Sequence, residues 1–171
     1  MPLKRLPPGI PSVLRACVDY FSEAGVHHEG LFRLSGNTDV VRQLREAFDS
    51  GTEPDLSDAD PHTVASILKL WCRELPEPLL SWELYDPFLA TASIAVTEAS
   101  IATIKKLLAM LPPAHYLATK YLVSFLHRVQ LESAKSKMTS ANLAVVFAPN
   151  LLRSRCTCLH RILFDDPLRL D

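Results

Sequence analysis

Arg33 stands in Glu29-Gly30-Leu31-Phe32-Arg33-Leu34-Ser35-Gly36, flanked by two apolar residues with a glycine on each side. Phe32 and Leu34 can anchor the base of such a loop and lead the guanidinium outward. A planar guanidinium spreads its charge over several oxygens, so an outward Arg on a braced loop suits contact with a phosphate in a partner. Read locally, Arg33 can equally be a solvated loop residue or the partner of Glu29. A basic pair, Lys69 and Arg73, lies in Leu68-Lys69-Leu70-Trp71-Cys72-Arg73. Four residues apart, the two share one helical face, where like charges repel mildly unless a partner surface, or Glu74 and Glu77, offsets them. A solvated basic face satisfies the same spacing. The third segment runs from Met138 to Leu152 and contains Asn142, Pro149 and Asn150. Pro149 frees a carbonyl one turn back and bends the chain. Asn150 then either presents an amide to another loop or a partner, or serves as a capping or turn residue.

Other chemistries find little support. Cys72 has no His or Asp partner near it in sequence, which leaves nucleophilic catalysis without a base. Cys156, Cys158 and His160 are too close together for a closed tetrahedral zinc site, and no second ligand pair stands at a suitable spacing. No glycine-rich segment ends in Gly-Lys-Ser or Gly-Lys-Thr, so the chain has no nucleotide-binding loop of its own.

The elements that must position these residues read as helices. The chain has 171 residues with 13 Pro beside only 5 Gly, which in a Leu-rich sequence suggests helices punctuated by proline. Val13, Leu14, Cys17, Val18 and Phe21 recur on one helical face, and Gly25 stops that run. A helix from Asn37 or Thr38 carries Val40, Val41, Leu44, Ala47 and Phe48 inward. Asp60-Pro61 is a cap followed by proline at the first helical position, and Leu75-Pro76-Glu77-Pro78 ends the helix that follows. Further helices are expected over residues 81–90, 97–110, 113–131 and 139–147, with almost no strand signal. The expected fold is all-α: a single-domain bundle of about seven to nine helices.

Composition narrows the function. A net charge of −1, from 18 Lys plus Arg against 19 Asp plus Glu, argues against a dedicated nucleic-acid binder. Four cysteines in a chain of this size read as reduced thiols in a cytoplasmic protein. No stretch approaches the roughly 18 consecutive apolar residues of a membrane span, and the start, Met1 to Arg5, lacks a secretory apolar region.

Together the three segments resemble the RhoGAP domain, which stimulates GTP hydrolysis by small GTPases of the Rho family. The resemblance rests on Glu29 to Gly36, Leu68 to Leu80 and Asn142 to Leu152, in that order and spacing, and runs from about Gly9 to about Arg153. It implies that Arg33 is an arginine finger, entering the GTPase site in trans and neutralising charge on the transferring phosphoryl group. Such a finger is worth about 10³ to 10⁵ in rate. The resemblance further implies that Lys69 and Arg73 line the GTPase-binding groove and support the finger loop, and that Asn150 helps order the switch region. Asn142 is read as a structural helix residue. Leu31 replaces the commoner Ile and Ala148 the commoner Gly, both near enough in volume to matter little. Residues 154–171 do not resemble the family's end and are expected to form an atypical tail on one domain spanning 1–171. The implied partner is a GTP-bound Rho-family GTPase, which brings its own GTP and Mg; the chain itself needs no cofactor. The implied location is cytoplasmic, with any membrane recruitment left to regions outside this chain. The alternative is a non-catalytic module of the same fold, and the presence of Arg33 speaks for the catalytic one.

Overall fold

Helix α1 (Ser12–Ala24) buries Val13, Leu14, Cys17, Val18 and Phe21, the face its sequence marks out. Gly25 ends it at φ 83°, with its N–H donating to the carbonyl of Phe21. In the computed structural model, which describes residues 9–92 and 95–155, seven further helices follow. Asn37 caps α2 (Thr38–Asp49), its side chain accepting from the N–H groups of Asp39 and Val40. Only Leu44 and Phe48 of α2 are fully buried; Val40, Val41 and Ala47, expected inside, are half-buried. The reason is that α2 packs chiefly on the flank of one neighbour, α3.

Helix α3 (Pro61–Glu74) is the central element. Asp60 caps it, accepting from the N–H of Thr63 at 3.0 Å and from its hydroxyl at 3.3 Å, with Pro61 at the first helical position. Its buried residues Val64, Ala65, Ile67, Leu68, Trp71 and Cys72 cover more than one face because α1, α2 and α8 all pack against it. Helices α6 (Pro113–Leu131) and α8 (Ser140–Leu151) complete the main core, with the single turn α7 (Ser133–Ser136) between them. Trp71, Phe21, Phe32, Phe125 and Phe147 are its largest fully buried side chains. Each such side chain contributes roughly 1.5–3 kcal/mol by leaving water. Helices α4 (Tyr85–Ala92) and α5 (Glu98–Ala109) form a side pair around Leu84, Phe88, Leu107 and Leu111. Among the described residues there are eight helices and no strand, as the all-α reading expects. No helix among them is long and apolar enough to cross a membrane.

Two helix boundaries differ from expectation. Helix α4 begins at Tyr85, not at residue 81, because Ser81 sits at φ 61° and cannot be helical. Its hydroxyl donates to the Glu77 carboxylate and accepts from the N–H of Glu83, which makes a turn instead. Helix α8 runs four residues past Phe147 and takes Pro149 inside it. The carbonyl that Pro149 leaves without a helical donor belongs to Val145, which is 77% exposed, so water can satisfy it.

Replacing Asp60 with Ala removes both acceptor contacts at the start of α3. The expected cost is about 1 kcal/mol, within the range for a lost N-cap, read as a lower urea midpoint at unchanged slope.

Candidate functional site

The hydrogen bonds that hold the loop between α1 and α2 are made to its main chain. The N–H of Gly30 donates to the carbonyl of Ser136 at 2.8 Å, which ties the loop to α7. The N–H groups of Arg33 and Leu34 both donate back to the carbonyl of Gly30, at 2.8 and 2.9 Å, closing a tight turn. Gly30 supplies φ 69° for that turn; a β-carbon there would come within 2.9 Å of the Leu34 side chain. At the far end the N–H of Gly36 donates to the Ser66 hydroxyl at 3.0 Å, and the N–H of Asn37 to the Thr63 hydroxyl at 3.0 Å.

Phe32 sits at φ 69° as well, a conformation an aromatic residue rarely adopts. Its ring is 1% exposed and meets Phe147 at 5.1 Å and Phe21 and Phe125 at 6.0 Å between centroids. Leu31 beside it is fully buried. The expected second anchor, Leu34, is 46% exposed. The pair that fixes the loop is therefore Leu31 and Phe32, and the turn at Phe32 directs the chain from Arg33 onward to the surface. Arg33 is exposed, and its guanidinium makes no hydrogen bond or ion pair among the described residues. The local alternative of a pair with Glu29 is not formed.

Lys69 reaches this loop from below. Its Nζ donates to the carbonyl of Phe32 at 2.6 Å, across 37 positions of sequence. Burial, and then the Arg73 cation, hold its pKa below the ordinary lysine range. Arg73, one turn further along α3, is exposed. The two basic residues share a face as expected, yet Lys69 is engaged within the chain while Arg73 lies at the surface. Of the two carboxylates suggested to offset them, Glu74 pairs with Arg45 Nε of α2 at 3.2 Å, and Glu77 accepts from Ser81.

Asn150 is half-buried inside α8 and not beyond it. Its Nδ2 donates to the carbonyl of Val146 at 2.8 Å, so the amide N–H is spent on its own helix next to Pro149. Asn142 has the longer reach. Its Nδ2 donates to the carbonyl of Lys137 at 2.8 Å, fixing the turn that follows Ser136, the residue whose carbonyl holds Gly30. Lys137 takes φ 60° in that turn. Thr63, Ser66 and Ser136 were not legible as site residues. Their only signal is that Thr63, Ser66 and Lys69 recur every three positions along one face of α3.

Burial pushes the Cys72 thiol up to about 12, which leaves no thiolate for nucleophilic chemistry. Among the described residues no group of three or more His, Cys, Asp or Glu is placed to hold a metal. Cys156, Cys158 and His160 lie outside the described residues.

A family model of the RhoGAP domain matches residues 11–156. Rho GTPase-activating protein 24 of Mus musculus is 43% identical over 148 residues, covering 85% of this chain and 20% of that protein. Rho GTPase-activating protein gacJJ of Dictyostelium discoideum is 42% identical over 147 residues, covering 85% of this chain and 17% of its own length. The chain thus spans about a fifth of the length of these relatives. Among solved structures, human Rho GTPase activating protein 15 superposes with a TM-score of 0.80 at 29% identity, covering 84% of this chain and 70% of that one.

Gly36 marks where the loop touches α3 most closely, since a β-carbon there would lie 2.2 Å from Thr63 Cα. Gly36→Ala is expected to lower stability by about 1–3 kcal/mol, measured by urea unfolding. An unchanged midpoint would show that the loop does not rest on α3 at this point.

Proposed function

The chain belongs to the RhoGAP domain family, and on that premise we propose that it stimulates GTP hydrolysis by a Rho-type small GTPase in its GTP-bound state. The observation that carries the reading is the contrast between Phe32 and Arg33: a locked, buried ring followed at once by an exposed guanidinium that pairs with none of the described residues. Phosphoryl transfer leaves little covalent work for a protein, so a cation delivered to the right place acts mainly on the transition state. Arg33 is the group we assign to that task, entering the partner's nucleotide site in trans. GTP and Mg belong to the partner.

The remaining residues divide between holding Arg33 and holding the partner. Lys69 acts on the loop through the carbonyl of Phe32, as a positioning residue. Arg73 and the exposed side of α8, where Ala144, Val145 and Ala148 face outward, form the docking face in this reading. Asn150 serves that face through its own helix, by keeping the turn around Pro149 in shape.

Single-turnover hydrolysis with a panel of Rho-type GTPases tests the assignment. Arg33→Ala is expected to lose about 10³-fold or more of the stimulation with binding of the GTP-loaded GTPase largely kept. Arg33→Lys is expected to recover little of it, for want of the planar fork. Stimulation undiminished in Arg33→Ala would sink the finger assignment, and no stimulation by the unaltered chain would favour a binding module. In the same assay Lys69→Ala should lower the saturated rate more than the affinity, and Arg73→Ala the affinity more than the rate. The reverse pattern would exchange their two roles.

A further inference from the structure

Helix α3 ends without a glycine cap. Its C-cap, Leu75, is extended at φ −54° and ψ 131°, and no glycine follows to turn the chain back. A tightened last turn would bring an N–H from residue 76 to the carbonyl of Arg73 and one from residue 78 to that of Leu75. Both residues are proline and have no N–H to give. Those same two carbonyls are taken by one side chain from elsewhere in the fold. Arg153, two residues past the end of α8, donates Nη1 to the carbonyl of Arg73 at 2.5 Å and Nη2 to that of Leu75 at 2.6 Å. The guanidinium also sits at the negative end of the α3 dipole, where a cation is favoured. A second stitch runs alongside, from the N–H of Leu80 to the carbonyl of Leu151 at 3.1 Å.

We propose that Arg153 is the positioning residue for Arg73, closing the C-terminus of α3 in place of the two prolines and fixing the direction in which Arg73 leaves the helix. The inference rests on the functional reading above, in which Arg73 belongs to the docking face. Arg153 acts through the Arg73 backbone and needs no contact with the partner. Two carbonyls two residues apart suit a planar fork, whose Nη1 and Nη2 donors stand at a fixed separation; a lysine's compact ammonium, a point charge, has no such geometry. The clamp also joins α3 to the end of α8, so the helix of Arg73 and the helix with the exposed apolar side are held at a set separation.

The test measures three quantities for each variant of the chain. They are the Kd for Rho-type GTPases loaded with a non-hydrolysable GTP analogue at fixed salt, the saturated single-turnover rate, and the urea midpoint. Arg153→Met is expected to raise Kd about tenfold with the saturated rate within about twofold of the unaltered chain, the size of effect usual for coupled neighbours. Arg153→Lys, which keeps the charge but not the planar fork, is expected to fold like the parent and still show most of the loss in affinity. The decisive comparison is Arg73→Ala with and without Arg153→Met. Once the Arg73 side chain is gone, loss of the clamp should cost no further affinity, although a merely stabilising role would lower the midpoint without abolishing additivity. An unchanged Kd in either single variant, or an additive loss in the double variant, overturns the proposal. If the unaltered chain neither binds nor stimulates any GTPase of the panel, the functional reading fails and this inference falls with it.

Discussion

The backbone of Phe32 is held at φ 69° while its ring lies 1% exposed among Phe21, Phe125 and Phe147, and the geometry of the site follows from that combination. A non-glycine residue in the left-handed region costs on the order of 1–3 kcal/mol. Burying a ring of this size contributes a similar amount, about 1.5–3 kcal/mol, before the edge-on contacts with other rings are counted. Glycine at position 32 would relieve the backbone and forfeit the ring, so packing outweighs conformational preference. The result is that two consecutive side chains diverge completely. Residue 32 is driven into the core, and residue 33 is turned out. The Lys69 ammonium on the Phe32 carbonyl closes the arrangement from the opposite side at 2.6 Å.

Helix α3 works as a scale along which the loop is laid. Thr63 holds the N–H of Asn37, Ser66 that of Gly36, and Lys69 the carbonyl of Phe32, each three residues further along one helical face. All three contacts are made to backbone atoms, so none of them restrains the Arg33 side chain. The arrangement has an electrostatic cost, since Lys69 is partly desolvated beside another cation and its charged form is disfavoured. A charge-assisted hydrogen bond to a carbonyl offsets this, being worth roughly 1.5–3 kcal/mol. The ends of the scale are fixed by different means: an aspartate cap and proline at the start, two prolines and a guanidinium from beyond α8 at the finish.

What could be read from sequence was what repeats or caps locally. The faces of α1 and α3, the Asn37 and Asp60 caps and the full extent of α6 follow from periodicity and from proline and glycine placement. The order of the three site segments was legible, and so was the exposure of Arg33. Contacts that close over long stretches of chain were not. Nothing near Lys69 indicates that its ammonium belongs to a carbonyl 37 positions earlier; local spacing shows only a basic face, and support of the loop is implied by the family resemblance alone. Asn150 reads locally as either a presented amide or a capping residue because Pro149 suggests a helix end, whereas an exposed carbonyl at Val145 lets α8 tolerate the proline. Leu34 looked like an anchor because alternation around Arg33 cannot show which neighbour a positive φ will turn inward.

Rigidity at the base of the loop and freedom at its tip have an energetic logic when the cation acts in a partner's site. Ordering eight residues, Glu29 to Gly36, only on docking would cost about 8–16 kcal/mol of backbone entropy, at roughly 1–2 kcal/mol per residue. A barrier reduction of about 4–7 kcal/mol from a charge placed in trans could not offset a cost of that size. With the backbone already fixed through Ser136, Lys69, Ser66 and Thr63, the remaining cost is that of immobilising one Arg side chain, about 0.5–1.5 kcal/mol. On the proposed role of Arg33, that difference accounts for why so many contacts converge on a loop whose guanidinium touches none of them. In that reading, hydrogen bonds to the main chain of residues 30–37 leave association to order a guanidinium and little else.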